Sequence, residues 1–240
     1  MQLENLVFDA VDPQRLGGFW ESALGSRRIT DEPDQVESRL ALGGGAWVDL
    51  CFQRVPTPPR EPLRLHLDLA GGDRQAEVVD RLLALGAARL DIGQGSVPWV
   101  VLADAEGNPF CVIEDRAVYT DDCPIAALPL DSADPDRDAD LWSWLTGWID
   151  APGVAPRSLR HPSGHGPLLE LCPEPAAKGQ AKNRLHLDVR LEPGEDHDDV
   201  AAGIVARGGR PMSHDWGDLP WRVYADGSGN EFCVLPPSGA

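Results

Sequence analysis

Residues 64–68, RLHLD, return unchanged at 184–188, and the alternation inside this pentapeptide divides a sheet into two unlike faces. With a period of two, Leu65, Leu67 and Leu69 point one way while Arg64, His66 and Asp68 point the other. The segment WVDLCF does the same, setting Trp47, Asp49 and Cys51 opposite Val48, Leu50 and Phe52. In the later copy Arg184, His186 and Asp188 share the polar side with Glu170 and Cys172. Apolar faces of this kind pack on amphipathic helices, which leaves the polar faces to solvent or to the inside of a concave cup.

Outward from the pentapeptide, the two halves of the chain match at further places in the same order. DAVDPQRLGGFWESALG at 9–25 matches DSADPDRDADLWSWLTG at 131–147, Leu50-Cys51 falls on Leu171-Cys172, and PWVVLADAEGNPFCV from Pro98 returns as PWRVYADGSGNEFCV from Pro220. A period of about 120 residues is too long for a solenoid unit and marks duplication of a whole domain. The expected domains are 1–116 and 122–238, joined by a short polar connector.

Within each copy, strand and helix patterns alternate. Residues 3–11 read as a strand. Asp12 then caps a helix that starts at Pro13, buries Leu16, Phe19, Trp20, Ala23 and Leu24 on one stripe, and stops at Gly25. Strands are expected near 36–42 and 46–53, followed by a Pro-rich connector from Pro56 to Pro62, a strand at 63–69, a helix through Ala76, Val79, Leu82 and Leu83, and strands near 97–103 and 109–114. The glycines of ADAEGN and ADGSGN join strand to strand and offer no helix N-terminus to an anion.

Composition narrows the function. Of 240 residues, 42% are hydrophobic, enough for globular cores, and 39 acidic against 21 basic side chains give a formal charge of -18. That field repels nucleic-acid phosphates and anionic lipid. No stretch reaches the ~20 apolar residues of a membrane span, and the opening MQLENLVFDAVD lacks the features of a signal peptide, so a cytosolic protein is expected. Five cysteines, widely spaced and without a CxxC pair, point to reduced thiols. HPSGHG at 161–166 reads as a surface turn, because Pro162 and Gly164 break any helical pairing of the two histidines.

The early strand with DPxRxxxFW, the RLHLDL strand and the ADxxGNxFCV hairpin together resemble the vicinal oxygen chelate superfamily, and within it the glyoxalase-like and bleomycin-resistance proteins. The resemblance covers nearly the whole chain. It implies an α+β fold of tandem glyoxalase-like domains, each of two βαβββ modules, with curved mixed sheets forming cups and helices outside. Metal-dependent members hold one divalent cation on four inward side chains, usually His and Glu. Carried over by position, these fall on Asn5, Asp49, His66 and Cys111 in the first copy and on Ala127, Glu170, His186 and Cys233 in the second. The candidate metal ligands are thus Asp49, His66, Cys111, Glu170, His186 and Cys233, for zinc, nickel, iron or manganese. Asn is a weak neutral ligand and Ala supplies none, so the set departs from the family pattern; Glu170, His186 and Cys233 with a water would still meet the count of a catalytic zinc site. A cup may close within one copy or between the two.

The expected function is binding of a small organic molecule in a sheet-lined cup whose metal site is degraded. His66, Asp68, His186 and Asp188 supply polar contacts. Trp99 and Trp221 either stack on the ligand or belong to the core. The alternatives are a divalent-metal lyase, isomerase or dioxygenase, for which no catalytic residue is named, and a protein-interaction scaffold. The chain is expected as a monomer with an internal pseudo-dimer or as a homodimer.

Overall fold

In the computed structural model, residues 1–57, 62–119, 122–213 and 217–238 are described; residues 58–61 of the expected Pro-rich connector and 120–121 of the inter-copy join lie outside them. The elements are β1 (Gln2–Ala10), α1 (Pro13–Leu24), β2 (Arg27–Glu32), β3 (Gln35–Gly43), β4 (Ala46–Arg54), β5 (Asp68–Gly72), α2 (Gln75–Ala84), β6 (Ala88–Arg89), β7 (Val100–Ala103) and β8 (Pro109–Glu114). The second copy continues with β9 (Ile125–Ser132), α3 (Pro135–Thr146), β10 (Ile149–Asp150), β11 (Arg157–Arg160), β12 (Leu168–Pro173), β13 (Leu185–Arg190), α4 (His197–Ala206), β14 (Arg210–Pro211), β15 (Arg222–Ala225) and β16 (Glu231–Leu235). No helix among the described residues is long and apolar enough to cross a membrane.

Local chemistry sets the helix ends. The Asp12 carboxylate accepts the Arg15 amide at 3.1 Å, Pro13 occupies the first turn where no N–H is required, and Gly25 adopts a left-handed φ of 71° that closes α1. Asp134, Pro135 and Gly147 repeat the arrangement at α3. Every residue of the expected α1 stripe is buried. The helix lies so close to the sheet that a Cβ on Gly17 would come within 2.7 Å of Val36.

The strands form two eight-stranded mixed sheets, ordered β14-β15-β16-β13-β1-β4-β3-β2 and β10-β11-β12-β9-β5-β8-β7-β6. Each sheet therefore takes one βαβββ module from each copy, and the cups close between copies. The first seam is the antiparallel pairing of β1 with β13, from Gln2↔Arg190 to Phe8↔Leu185. The second, β5 with β9, is less regular, and here the expected strand 63–69 is corrected: β5 begins only at Asp68, and Leu65 makes a single bridge with Leu130. Pro129 explains the difference. It accepts the His66 amide at 3.2 Å but has no N–H to return, so the ladder that Val7 and His186 complete in the first seam is interrupted in the second.

The apolar faces of both sheets and stripes from all four helices share one core, which includes Phe8, Trp20, Leu50, Leu67, Leu82, Leu141, Trp142, Ile204 and Phe232. Full burial of such side chains stabilises by about 1.5–3 kcal/mol each. Two hydrogen bonds clasp the modules within a copy. Trp20 Nε1 donates to Asp104 Oδ2 at 3.1 Å, and Trp142 Nε1 donates to Asp226 Oδ2 at 3.3 Å. Each carboxylate also accepts two backbone amides and the side-chain amide of Asn108 or Asn230, all at 2.9 Å. The ADxxGN turns are thus buried carboxylate clasps. Burial, reinforced by nearby Asp138, lifts Asp226 to about 6 despite these donors.

Candidate functional site

The opposite, polar face of the first sheet encloses a cavity of about 640 Å³. Cross-strand register says which side chains share its floor. Asn5 stands opposite Asp188 on β13 and Asp49 on β4, and Asp188 stands beside Cys233 on β16. His186 lies one row along the same face, opposite Val7. The strand position in line with Asn5, Asp49 and Cys233 is therefore Asp188, two residues beyond the His186 reading. Period two could not separate them, because both residues point into the cup.

His186 Nε2 lies 3.4 Å from Asp188 Oδ1 and 3.7 Å from Cys233 Sγ. The N–O separation exceeds the usual hydrogen-bond range, and Asp188 Oδ1 and His186 Nδ1 are buried with no hydrogen-bond partner. A tetrahedral zinc with bonds of about 2.0–2.1 Å to N or O and about 2.3 Å to S has N–O edges of about 3.4 Å and N–S edges of about 3.6 Å. The two edges from His186 match such a site, and the three ligand atoms lie within 4.8 Å of one another. The Cys233 thiol is pushed well up, first by burial and then by the Asp188 charge, and stays protonated near neutrality in the absence of a cation.

The other two positions of this row, Asp49 and Asn5, have partners of their own. Both oxygens of Asp49 accept from Arg39, at 2.9 and 2.8 Å, and the Arg39 guanidinium sits 3.6 Å from the centre of the Trp47 ring. Asn5 Nδ2 donates to Asp188 Oδ2 at 3.3 Å. Around the cavity Glu231 pairs with Lys178 at 2.7 Å, Asp9 with Lys182, and Glu4 with Arg190. Trp221 and, from β3, Glu37 both line the cavity. Glu37 and Lys182 escaped the sequence reading. The alternation of Gln35, Glu37 and Arg39 carried a signal for the first, whereas Lys182 sits in a loop with none.

The second sheet repeats the trio as His66, Asp68 and Cys111. His66 Nε2 is 3.3 Å from Asp68 Oδ1, and that oxygen is again buried without a hydrogen bond, although the His66 side chain is 32% exposed. Asp68 lies in register with Cys111 and with Ala127, whose own partner on β12 is Leu168; Glu170 pairs one step along, with Pro129. Glu170 thus shares a sheet with His66 and Cys111, not with His186 and Cys233. The zinc set Glu170, His186 and Cys233 is corrected accordingly: its members stand in different sheets. Burial raises the Glu170 carboxyl, while hydrogen bonds from Val154 N at 2.8 Å and from Tyr119 at 3.4 Å oppose the rise. Trp99 packs over Val101, Cys111 and Ile113, with the Arg116 guanidinium 5.6 Å from its centre. HPSGHG is a hairpin turn between β11 and β12, closed by a 2.8 Å contact between His161 Nδ1 and Ser163 Oγ.

The sequence profile of the glyoxalase-like domain family matches residues 5–113 and again 127–235. Glyoxalase I from Zea mays superposes with a TM-score of 0.65 at 16% identity, over 98% of this chain and 92% of that one. A proposed dioxygenase from Bacillus subtilis subsp. subtilis str. 168 gives 0.58 at 17% identity, over 100% and 86%. At such identities the likeness concerns the fold. No curated protein matches the sequence. The chain belongs to the glyoxalase-like domain family of the vicinal oxygen chelate superfamily and carries that domain twice.

Proposed function

We propose that the chain binds a small organic molecule in the cavity of the first sheet, with the family's four-strand metal ring altered beyond its usual use. The observation that carries this reading is the cavity of about 640 Å³ on the polar face of a sheet that both copies build. Its volume falls in the range that small-molecule sites occupy. His186 and Asp188 are its polar contacts and Trp221 its apolar wall; His66, Asp68 and Trp99 are the matching set in the second sheet. The tie of Asp49 to Arg39 and the amide that Asn5 turns toward Asp188 support an altered ring. A monomeric pseudo-dimer in a reducing cytosol accords with the cross-copy sheets and with five free thiols.

A thermal-shift screen of a small-molecule library tests the reading. A saturable rise in Tm with one member, lost in Trp221→Ala, is expected. No stabilising compound, together with a protein that co-purifies on the cup face, would favour the scaffold alternative and overturn it.

The donor spacing favours a second reading, in which His186, Asp188 and Cys233 hold a divalent cation. When bound, such an ion supplies Lewis-acid polarisation of a substrate oxygen. The chain's own part would be to hold the ion with His186 and Asp188 of β13 and Cys233 of β16, to place Trp221 beside the substrate, and to exclude water with the buried floor. Metal analysis of protein purified without chelator decides it: stoichiometric zinc, nickel, iron or manganese, lost in His186→Ala, would replace the metal-free reading.

A further inference from the structure

The two sheets carry a similar small apolar patch on their cup faces, and among the described residues only the patch of the second sheet is covered by the connector between the copies. In the second sheet Val101, Cys111 and Ile113 form the patch, flanked by Leu90 and Trp99, and Tyr119 packs onto it. In the first sheet Val223, Cys233 and Leu235 form its counterpart, flanked by Met212 and Trp221, and it opens into the large cavity.

Tyr119 belongs to the segment between β8 and β9, and its seating is specific. Its amide closes a turn on Arg116 O at 3.1 Å, Arg160 holds the neighbouring Val118 carbonyl at 2.8 Å, and the phenol hydroxyl donates to Glu170 Oε2 at 3.4 Å. A half-buried aromatic ring thus lies on an apolar floor against which a Trp also packs, with its one donor turned to a carboxylate of β12. The open cup offers the Trp and the apolar floor, with different carboxylates. Trp221 packs against the Val223, Cys233 and Leu235 floor, Cys51 holds the strand position of Glu170, and the acceptors are a buried Asp188 oxygen without a hydrogen bond and Glu37 of β3, which already accepts from Thr30 and Gln35.

We propose that Tyr119 is an internal stand-in for the ligand, so that the open cup takes a single aromatic ring bearing a hydrogen-bond donor, and the second cup is closed to it by the phenol already there. The ring packs against Trp221 over the apolar floor, and its donor meets a carboxylate acceptor. One ligand per chain follows, although the chain has two cups. The proposal rests on the reading that the first sheet's cavity is a small-molecule site.

The probe is 4-methylphenol, the tyrosine side chain cut at its α-carbon. Calorimetry and ligand-observed NMR should find one site per chain, with Kd on the order of 1 mM for so small a fragment. Toluene, which lacks the donor, should bind about tenfold more weakly, and Trp221→Ala should lower the affinity for 4-methylphenol at least about tenfold. Tyr119→Ala should open a second site, raising the stoichiometry to two, while Tyr119→Phe should leave it at one. Where the Tyr119→Ala chain is too unstable for calorimetry, 4-methylphenol should raise its Tm more than that of the unaltered chain. Toluene binding as tightly as the phenol, an unchanged stoichiometry in folded Tyr119→Ala, or no greater Tm rise there would overturn the proposal. A library compound without an aromatic ring that saturates the cup while 4-methylphenol does not would also overturn it, and would leave the small-molecule reading standing. No binding by any compound would sink both.

Discussion

Asn5 faces Asp188 across the seam between the two copies, and its side-chain amide donates to Asp188 Oδ2 at 3.3 Å. This contact holds the carboxylate of the cup floor in place while its other oxygen stays without a hydrogen bond. Replacing Asn5 with Ala removes a donor from a buried acidic group. Stability should fall by about 1–3 kcal/mol, read from urea unfolding at pH 7. A loss under about 0.5 kcal/mol would show that the amide contributes nothing to holding Asp188.

The clasp between helix and hairpin should be costlier to break. Asp104 accepts from Glu106 N, Asn108 N, Asn108 Nδ2 and Trp20 Nε1. Asp104→Ala strands these donors in a buried turn and should destabilise by more than about 3 kcal/mol, whereas Trp20→Phe, which sacrifices one bond and some volume, should lose less. Equal losses would mean that ring packing, not the carboxylate, secures the turn.

The matching carboxylate Asp226 gives stability a pH dependence of defined sign. Burial first, then the charge of Asp138, raise it to about 6 from an ordinary value of 3.8, so the folded chain binds this proton more tightly than the unfolded one. The contribution is fully present below about pH 4 and is lost as pH climbs through about 6, by an amount on the order of 3 kcal/mol. The unaltered chain minus Asp226→Asn, compared by urea unfolding from pH 4 to 7, should show this decline. A difference that is flat with pH would place the carboxylate's value near that of an exposed aspartate.

Burial also governs the thiols. It raises Cys51, Cys111, Cys123, Cys172 and Cys233 alike, Cys123 to about 11, so each is a poor nucleophile at neutral pH. A disulfide-exchange reagent at pH 7 should react slowly with the native chain and count five thiols after denaturation. Three or fewer would contradict the free-thiol state.

Period and punctuation made much of this fold legible. Pro13, Gly25 and the stripe from Leu16 to Leu24 specified α1 nearly to the residue, and the alternation of RLHLD set both histidines and both aspartates on a cup face. What stayed hidden was long-range. Both copies present alike strand edges, so nothing in the order of residues tells β1 to choose β13, more than 170 residues away, over β5. The same period of two cannot choose between His186 and Asp188. RRITDE at β2 lacks an apolar alternation, and the two-residue strands β6, β10 and β14 are shorter than any pattern. Tyr119 was invisible because a connector residue acquires its role only from the cup it enters.

The two seams carry a last consequence. A chain severed at the connector would leave one fragment with unpaired edges on β1 and β5 and the other with unpaired edges on β9 and β13, and neither fragment would hold a whole sheet of the arrangement seen here. The fragments would have to find one another in solution, as separate subunits do, at a strength set by concentration. Joined, they meet at a fixed local concentration and remain partners at any dilution, which frees either half to diverge in its cup without having to recognise a copy of itself.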